Sequence, residues 1–388
     1  MFSSFCGPTS RPNIPVRIPN DDTTFNPKEY PNVAVVAKGR MSGKVRLVHG
    51  GAETDESGLG LISTRIWVIK EGHKEDVTIT PTFDDKTFTF LLEAPTGWGS
   101  NSIYHETMIQ YPRTTSTIDS LSVSVPNTSL RGDGLHNLLF GSIQTALSNG
   151  SISLDVIRTD IARLRSSNGF ISGTFEAGHV DFNTSNGHIT AKLNIRDALD
   201  GRQSVVTTHT SNASVDVHVT ATETARGLWM ENISSNGQMK VGALVGKADR
   251  ASWIKASTSN SKLDFNVDGS QSGQPLEIAN STSNSGIVSS VMVPAGQEFK
   301  GSASSSNSNV TVNLTEDFEG RFELSTSNGQ AVVEGSELEL EVDNKSTKRG
   351  YRVHDGPSKF RVTSSNGSTS LRFYPFGQSL ASSENEKL

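Results

Sequence analysis

Cysteine is almost missing from this 388-residue chain: Cys6 is its one thiol, so an intramolecular disulfide cannot form and a thiolate metal site is excluded. Cys6 also lacks the surroundings of a lipid acceptor, since position 2 is not glycine and no basic cluster flanks it. Aromatic residues are 7% of the chain and charged residues 20%, and the 35 Lys and Arg are scattered among 41 acids for a net charge of −6. Without a basic block there is no phosphate-binding surface, so no nucleic-acid partner is expected. No apolar run approaches the length of a membrane span, and the first residues, MFSSFCGPTSRPNIPVRIPNDD, hold no apolar signal segment. The compartment is left as cytoplasmic by default. P-loop, dinucleotide and nucleophile-elbow fingerprints are missing as well, so no cofactor is expected.

Ser, Thr, Asn and 35 Gly are what the chain has instead, the composition of short strands and turns. Ten Asn-x-Ser/Thr sequons follow from that composition and are not read as glycan sites. A Ser-Asn pair followed by a turn-compatible residue recurs with Asn149, Asn168, Asn186, Asn212, Asn236, Asn260, Asn284, Asn307, Asn328 and Asn366. The spacings are 19, 18, 26, 24, 24, 24, 23, 21 and 38, the last long enough to hide a degenerate turn near Asn344. A fixed period of this size means a solenoid or an array.

The flanks carry the same period. Three residues after each Asn stand Ile152, Ile171, Ile189, Val215, Met239, Leu263, Ile287, Val310, Ala331 and Thr369, and six before it stand Ile143, Ala162, Val180, Val206, Met230, Ile254, Ile278, Gly301, Phe322 and Phe360. Alternation with polar residues makes each flank a strand with one buried face. Each unit thus reads as strand, Ser-Asn-Gly corner, strand and a return of variable length. Asn and Gly suit a corner that visits the left-handed backbone region, and stacking at ~4.8 Å would place each Asn amide against its neighbours in a structural ladder. One such unit cannot bury its apolar face alone, so the coils must stack.

SSNGFISG and TSNGHITA, as instances of the S/T-S-N-G-x-I-x-G/A pattern, resemble the putative-adhesin domain family of unknown function, with bacterial and fungal members, over residues 120–373. The resemblance implies an all-β, right-handed parallel β-solenoid (β-helix), a non-catalytic adhesin-like role and a cell-surface location as the alternative compartment. Around the repeat, residues 1–31 read as a disordered Pro-rich arm and 32–139 as a β-rich N-terminal section, either irregular first coils or a small cap. Residues 140–374 are the repeat solenoid and 375–388 a solvated tail. HNLLFGSIQTAL is assigned to a strand because Ile143 fits the repeat offset.

Parallel β-helices also resemble the scaffold of polysaccharide lyases and hydrolases, which makes a carbohydrate-active enzyme the alternative function. Such sites need clustered acids or a metal-binding set. Asp216 and Asp264 flank Lys240 in one outward column, an alternation of surface charge. Arg196, Asp197, Asp200 and Arg202 are the one dense group, and they read as an exposed loop. His188 and His218 fall at different offsets, so no metal site is expected. The Arg131–Asp133 tripeptide RGD is read as a turn. The outward feature that stands out is Trp229 and Trp253, each seven residues before its Asn, with Glu231 and Lys255 beside them. They are expected to stack on the outer face as a platform for a glycan or a protein partner, with a satellite core under the returns as the competing structural role.

Overall fold

The computed structural model describes residues 22–68, 77–96, 103–223, 226–354 and 356–375. The described residues are mostly strand joined by turns, the one α-helix among them being Ala52–Ser57, and most pairings are parallel, as in a parallel β-solenoid. The chain divides into two compact units, one of residues 1–159 with 163–170, the other of 160–162 with 171–388. Cys6 and most of the expected arm and tail lie outside the described residues.

In the second unit each coil gives one strand to each of two parallel stacks. The strands before the corner, such as Ser204–Thr210, Leu228–Ser234, Ser252–Thr258 and Leu276–Thr282, pair in one stack. The strands after it, Val215–Glu223, Met239–Val245, Leu263–Asp268 and Ile287–Met292, pair in the other. The register is constant, so Val206, Met230, Ile254 and Ile278 stand directly over one another and are buried. Ile189, Val215, Met239, Leu263 and Ile287 form the facing buried row. Ile171–Thr184 explains the shortest period. Its first half pairs with Ile189–Arg196 and its second with Ser204–Thr210, so one continuous strand passes from stack to stack without a return loop. The inward phase shifts at Ala177 and Gly178, two consecutive buried residues of the strand.

Coil order departs from chain order at the edge of this unit. Ser358–Ser364 pairs on one side with Phe299–Ser305 and on the other with Gly320–Thr326, and Thr369–Tyr374 likewise lies between Val310–Thr315 and Ala331–Glu334. The chain therefore skips one place, builds the outer coil, makes the antiparallel hairpin of Leu338–Asp343 and Thr347–Arg352, and returns to fill the gap. The gap fits its occupant: Phe360 lies directly opposite Gly301, where an added Cβ would be 2.2 Å from its ring.

The first unit uses the same device. Asn32–Lys38 lies between Thr87–Glu93 and Thr117–Ser124, while Ser42–His49 lies between Ile103–Tyr111 and Thr128–Asp133. Outside them run antiparallel strands, Thr78–Asp84 against Thr87–Glu93 and Gly60–Val68 against Ile103–Tyr111. Antiparallel outer strands close a stack whose parallel edge would otherwise template another chain. Pro81 on one outer strand, and Glu339, Glu341 and Asp343 on another, discourage further pairing.

Residues 22–31, expected within a disordered arm, are ordered. Thr23–Phe25 pairs with Gly60–Val68, and Phe25 is buried with its ring stacked on Phe88 at 4.8 Å. One buried aromatic is the reason this stretch is tied down despite its prolines. Leu139–Leu147 is a strand, as Ile143 indicated.

Candidate functional site

Amide–amide hydrogen bonds run from coil to coil along the corners. In the first unit Asn149 donates to Asn127, and Asn168 donates to Asn149 at 2.5 Å. In the second unit Asn212 donates to Asn186, Asn236 to Asn212, Asn260 to Asn236 and Asn284 to Asn260, at 2.6–2.8 Å. Asn307 donates to Asn284 at 2.6 Å, Asn366 to Asn307 at 2.7 Å and Asn328 to Asn366 at 2.7 Å. Asn366 thus stands between Asn307 and Asn328. The 38-residue spacing holds no further corner near Asn344, whose Oδ1 instead accepts the N–H groups of Ser346 and Thr347 in the hairpin turn. Asn127 joins the row without a preceding Ser, which is why the motif misses it.

Beneath the amides lies a second row that the sequence reading did not assign. The Ser or Thr two residues before each Asn from Asn168 onward is buried. Ser234 Oγ accepts the N–H of Gly237 at 3.0 Å and donates to the carbonyl of Ala213, one coil away, at 3.1 Å. Ser166 does the same with Gly169 and Gly150, Thr326 with Gly329 and Gly367, and Ser364 with Gly367 and Ser308. The visible signal was the S/T that opens every such motif.

The left-handed backbone expected at the Ser-Asn corners is not found at the ten motif asparagines. Asn127, with φ 52°, is the corner asparagine of positive φ, and the glycines that follow the motif's asparagines have none. Their selection comes from contact: a Cβ on Gly237 would lie 1.7 Å from the Ala213 carbonyl oxygen, and one on Gly169 1.9 Å from that of Gly150. The neighbouring coil passes too close for a side chain.

On the outer face Trp229 and Trp253 occupy directly opposed positions in adjacent coils, with ring centroids 5.1 Å apart and planes 16° from parallel. Both are half-buried. Each ring covers part of one face of the other, so the pair is a stack with two outer faces left rather than two tiles of a flat platform. Two residues nearer the corner, Lys255 Nζ lies 2.8 Å from Glu231 Oε1, and both are partly exposed.

The other sequence candidates take structural places. Asp216, Lys240 and Asp264 stand in one column, with Lys262 2.8 Å from Asp264 and His218 3.4 Å from Asp216. The loop group is spent on local contacts. Arg196 reaches Glu176 at 3.3 Å, Arg202 reaches Asp200 at 3.2 Å, and Asp197 accepts the N–H of Arg226. The N–H of Arg202, with its nearby guanidinium, holds the Asp200 carboxyl below its ordinary range. His188 is a corner residue next to Gly187, away from His218. Among the described residues no three His, Cys, Asp or Glu are placed to hold a metal ion, and no helix is long and apolar enough to cross a membrane. RGD is not the expected turn: Arg131, Gly132 and Asp133 lie in the strand Thr128–Asp133, and Asp133 is 3.2 Å from Arg46. Gly132 has Leu135 and Leu154 within 3 Å of the position of a Cβ, so the tripeptide cannot project as a loop.

No family model matches the chain, and no curated protein matches it. Solved structures similar to it include a "putative cell adhesion protein" of Clostridium sporogenes, 11% identical over 92% of this chain and 100% of that one, with a TM-score of 0.18. A "putative adhesin" of Bacteroides fragilis is 9% identical over 92% of this chain and 97% of that one, with a TM-score of 0.19. Scores this low carry no argument, and the likeness read from the corner motif remains one of pattern.

Proposed function

We propose that this protein is a non-catalytic, adhesin-like interaction protein whose register-locked coils hold the Trp229–Trp253 stack as a binding element for a glycan or a protein partner. One observation supports the reading above the rest. Two large rings sit in the outward phase, opposite to the buried Met230 and Ile254, and are half-exposed, beside a Glu231–Lys255 pair able to bond hydroxyl groups. The constant register fixes their spacing without any ligand, so binding would order little and lose little entropy.

The enzyme reading has no comparable support, because the acids of residues 196–202 are engaged with their own neighbours. A glycan-array screen of the protein and of a Trp229→Ala/Trp253→Ala variant tests the proposal. The variant is expected to lose the bound glycans at an unchanged denaturant midpoint. Undiminished binding with a lowered midpoint would reduce the rings to a satellite core, and multiple turnover of any polysaccharide would end the non-catalytic reading.

A further inference from the structure

The outward column that holds the two tryptophans continues along the same stack. In spatial order it reads Trp229, Trp253, Glu277, Lys300, Lys359 and Arg321. The chain is acidic as a whole, yet three cations stand here in consecutive coils, all exposed and ~4.8 Å apart by strand spacing. Like charges directly opposed across strands are destabilising. Lys300 is relieved by Glu298 at 2.6 Å and Arg321 by Glu341 at 3.5 Å, but Lys359 between them makes no ion pair among the described residues. All six share one offset, seven residues before their corner asparagines, and the out-of-order coil sets the order of the cations by placing Lys359 between Lys300 and Arg321.

The face between rings and cations is low. Ala279 and Ser281 project from the intervening coil of Glu277 and Ser302 and Ser304 from the coil of Lys300, small side chains with three hydroxyls, and Glu277 stands at the edge next to Lys300. We infer that this face binds an acidic oligosaccharide lying across the coils, one sugar ring against the tryptophan stack and its carboxylates on Lys300, Lys359 and Arg321. The cations begin two coil steps from Trp253 and end four steps away, about 10 to 20 Å, a span of several sugar residues. A repeating anion suits a repeating row of cations, and the hydroxylated floor suits a polyol better than the apolar centre of a protein interface. The inference rests on the tryptophan reading above and adds the ligand's charge to it.

The test uses a hexamer of galacturonic acid and its methyl ester, the same sugar with its charges removed, titrated calorimetrically into the full-length protein. The acid form is expected to bind at least several-fold tighter than the ester, and more weakly as salt is raised. Lys359→Gln is expected to remove most of that preference without lowering the melting temperature, since it also relieves repulsion. Trp229→Ala/Trp253→Ala is expected to weaken both forms. Equal binding of acid and ester, with Lys359→Gln indistinguishable from the parent, would overturn the acidic-ligand inference and leave the aromatic reading standing. Binding of neither form would overturn the acidic-ligand inference, and full binding by the tryptophan variant would overturn both.

Discussion

Replacing Ser234 by Ala removes one oxygen and two hydrogen bonds, one within its own corner and one to the neighbouring coil. The N–H of Gly237 loses its acceptor at 3.0 Å, and the carbonyl of Ala213 loses its donor at 3.1 Å. Ser234 is 1% exposed, so water does not replace either partner at once. Two bonds at about 1 kcal/mol each, plus part of the ~1–3 kcal/mol that a buried unsatisfied group costs, give a loss of about 2–4 kcal/mol. Asn260→Ala also removes two bonds, to Asn236 and from Asn284, but these are exposed and their partners turn to water, for a loss of about 1–2 kcal/mol. The hydroxyl should therefore matter more than the asparagine that defines the motif. Guanidinium unfolding of Ser234→Ala, Asn260→Ala and the control Ser234→Thr measures this as midpoint shifts at constant slope. The control should be near neutral, because Thr fills the same place in Thr210, Thr258 and Thr326. Were Asn260→Ala the costlier change, or Ser234→Ala neutral, the assignment of the inner row would be wrong.

Burial lowers the pKa of His105 from 6.5 to about 4, and its ring is held between Thr107 Oγ1 at 3.0 Å and Thr128 Oγ1 at 3.1 Å. The folded state keeps it neutral while the unfolded chain takes up a proton, so its stabilising effect is complete above pH 6.5 and is lost as pH falls from 6.5 toward 4. The loss is roughly 3 kcal/mol. His105→Gln should flatten the difference in unfolding free energy between pH 7 and pH 4.5; an unchanged slope would refute it. Gly301→Val would drive a side chain into the Phe360 ring, and the expected ~1–3 kcal/mol of overpacking should appear as faster amide exchange in residues 358–374 than in Leu228–Ser234. Equal protection in the two segments would show that Gly301 does not shape the gap.

The inward rows could be read from the sequence because alternation records burial directly: Met230, Ile254 and Ile278 are apolar where the period requires it. The outward stacking of Trp229 and Trp253 followed from the same parity and a shared offset. Coil order could not be read. Every coil carries the same corner and alternation, so the pattern is satisfied equally by consecutive stacking and by the insertion of Ser358–Ser364 between its neighbours. What separates the two is volume, Gly301 opposite Phe360, and no periodicity contains it. The hydroxyl row was hidden for another reason. A Ser or Thr in the inward phase looks like a flaw in the alternation until the carbonyl of the next coil is known to lie within reach. In the first unit, parallel coils turn through segments such as Gly39–Met41 that share no motif with the repeat, so strand alternation left irregular first coils and a small cap equally open there.

A pair of disulfide tests in a Cys6→Ser background addresses the register-locked, out-of-order stack most directly. Ser302 lies directly opposite Arg361, while Glu323 is one coil further away. Under mild oxidation Ser302→Cys/Arg361→Cys should close a disulfide within one chain, its Cα atoms being ~4.8 Å apart, and Ser302→Cys/Glu323→Cys should not, at roughly 10 Å. Cross-linking of the second pair and not the first would place the coils in chain order and contradict the architecture that sets Lys359 between Lys300 and Arg321.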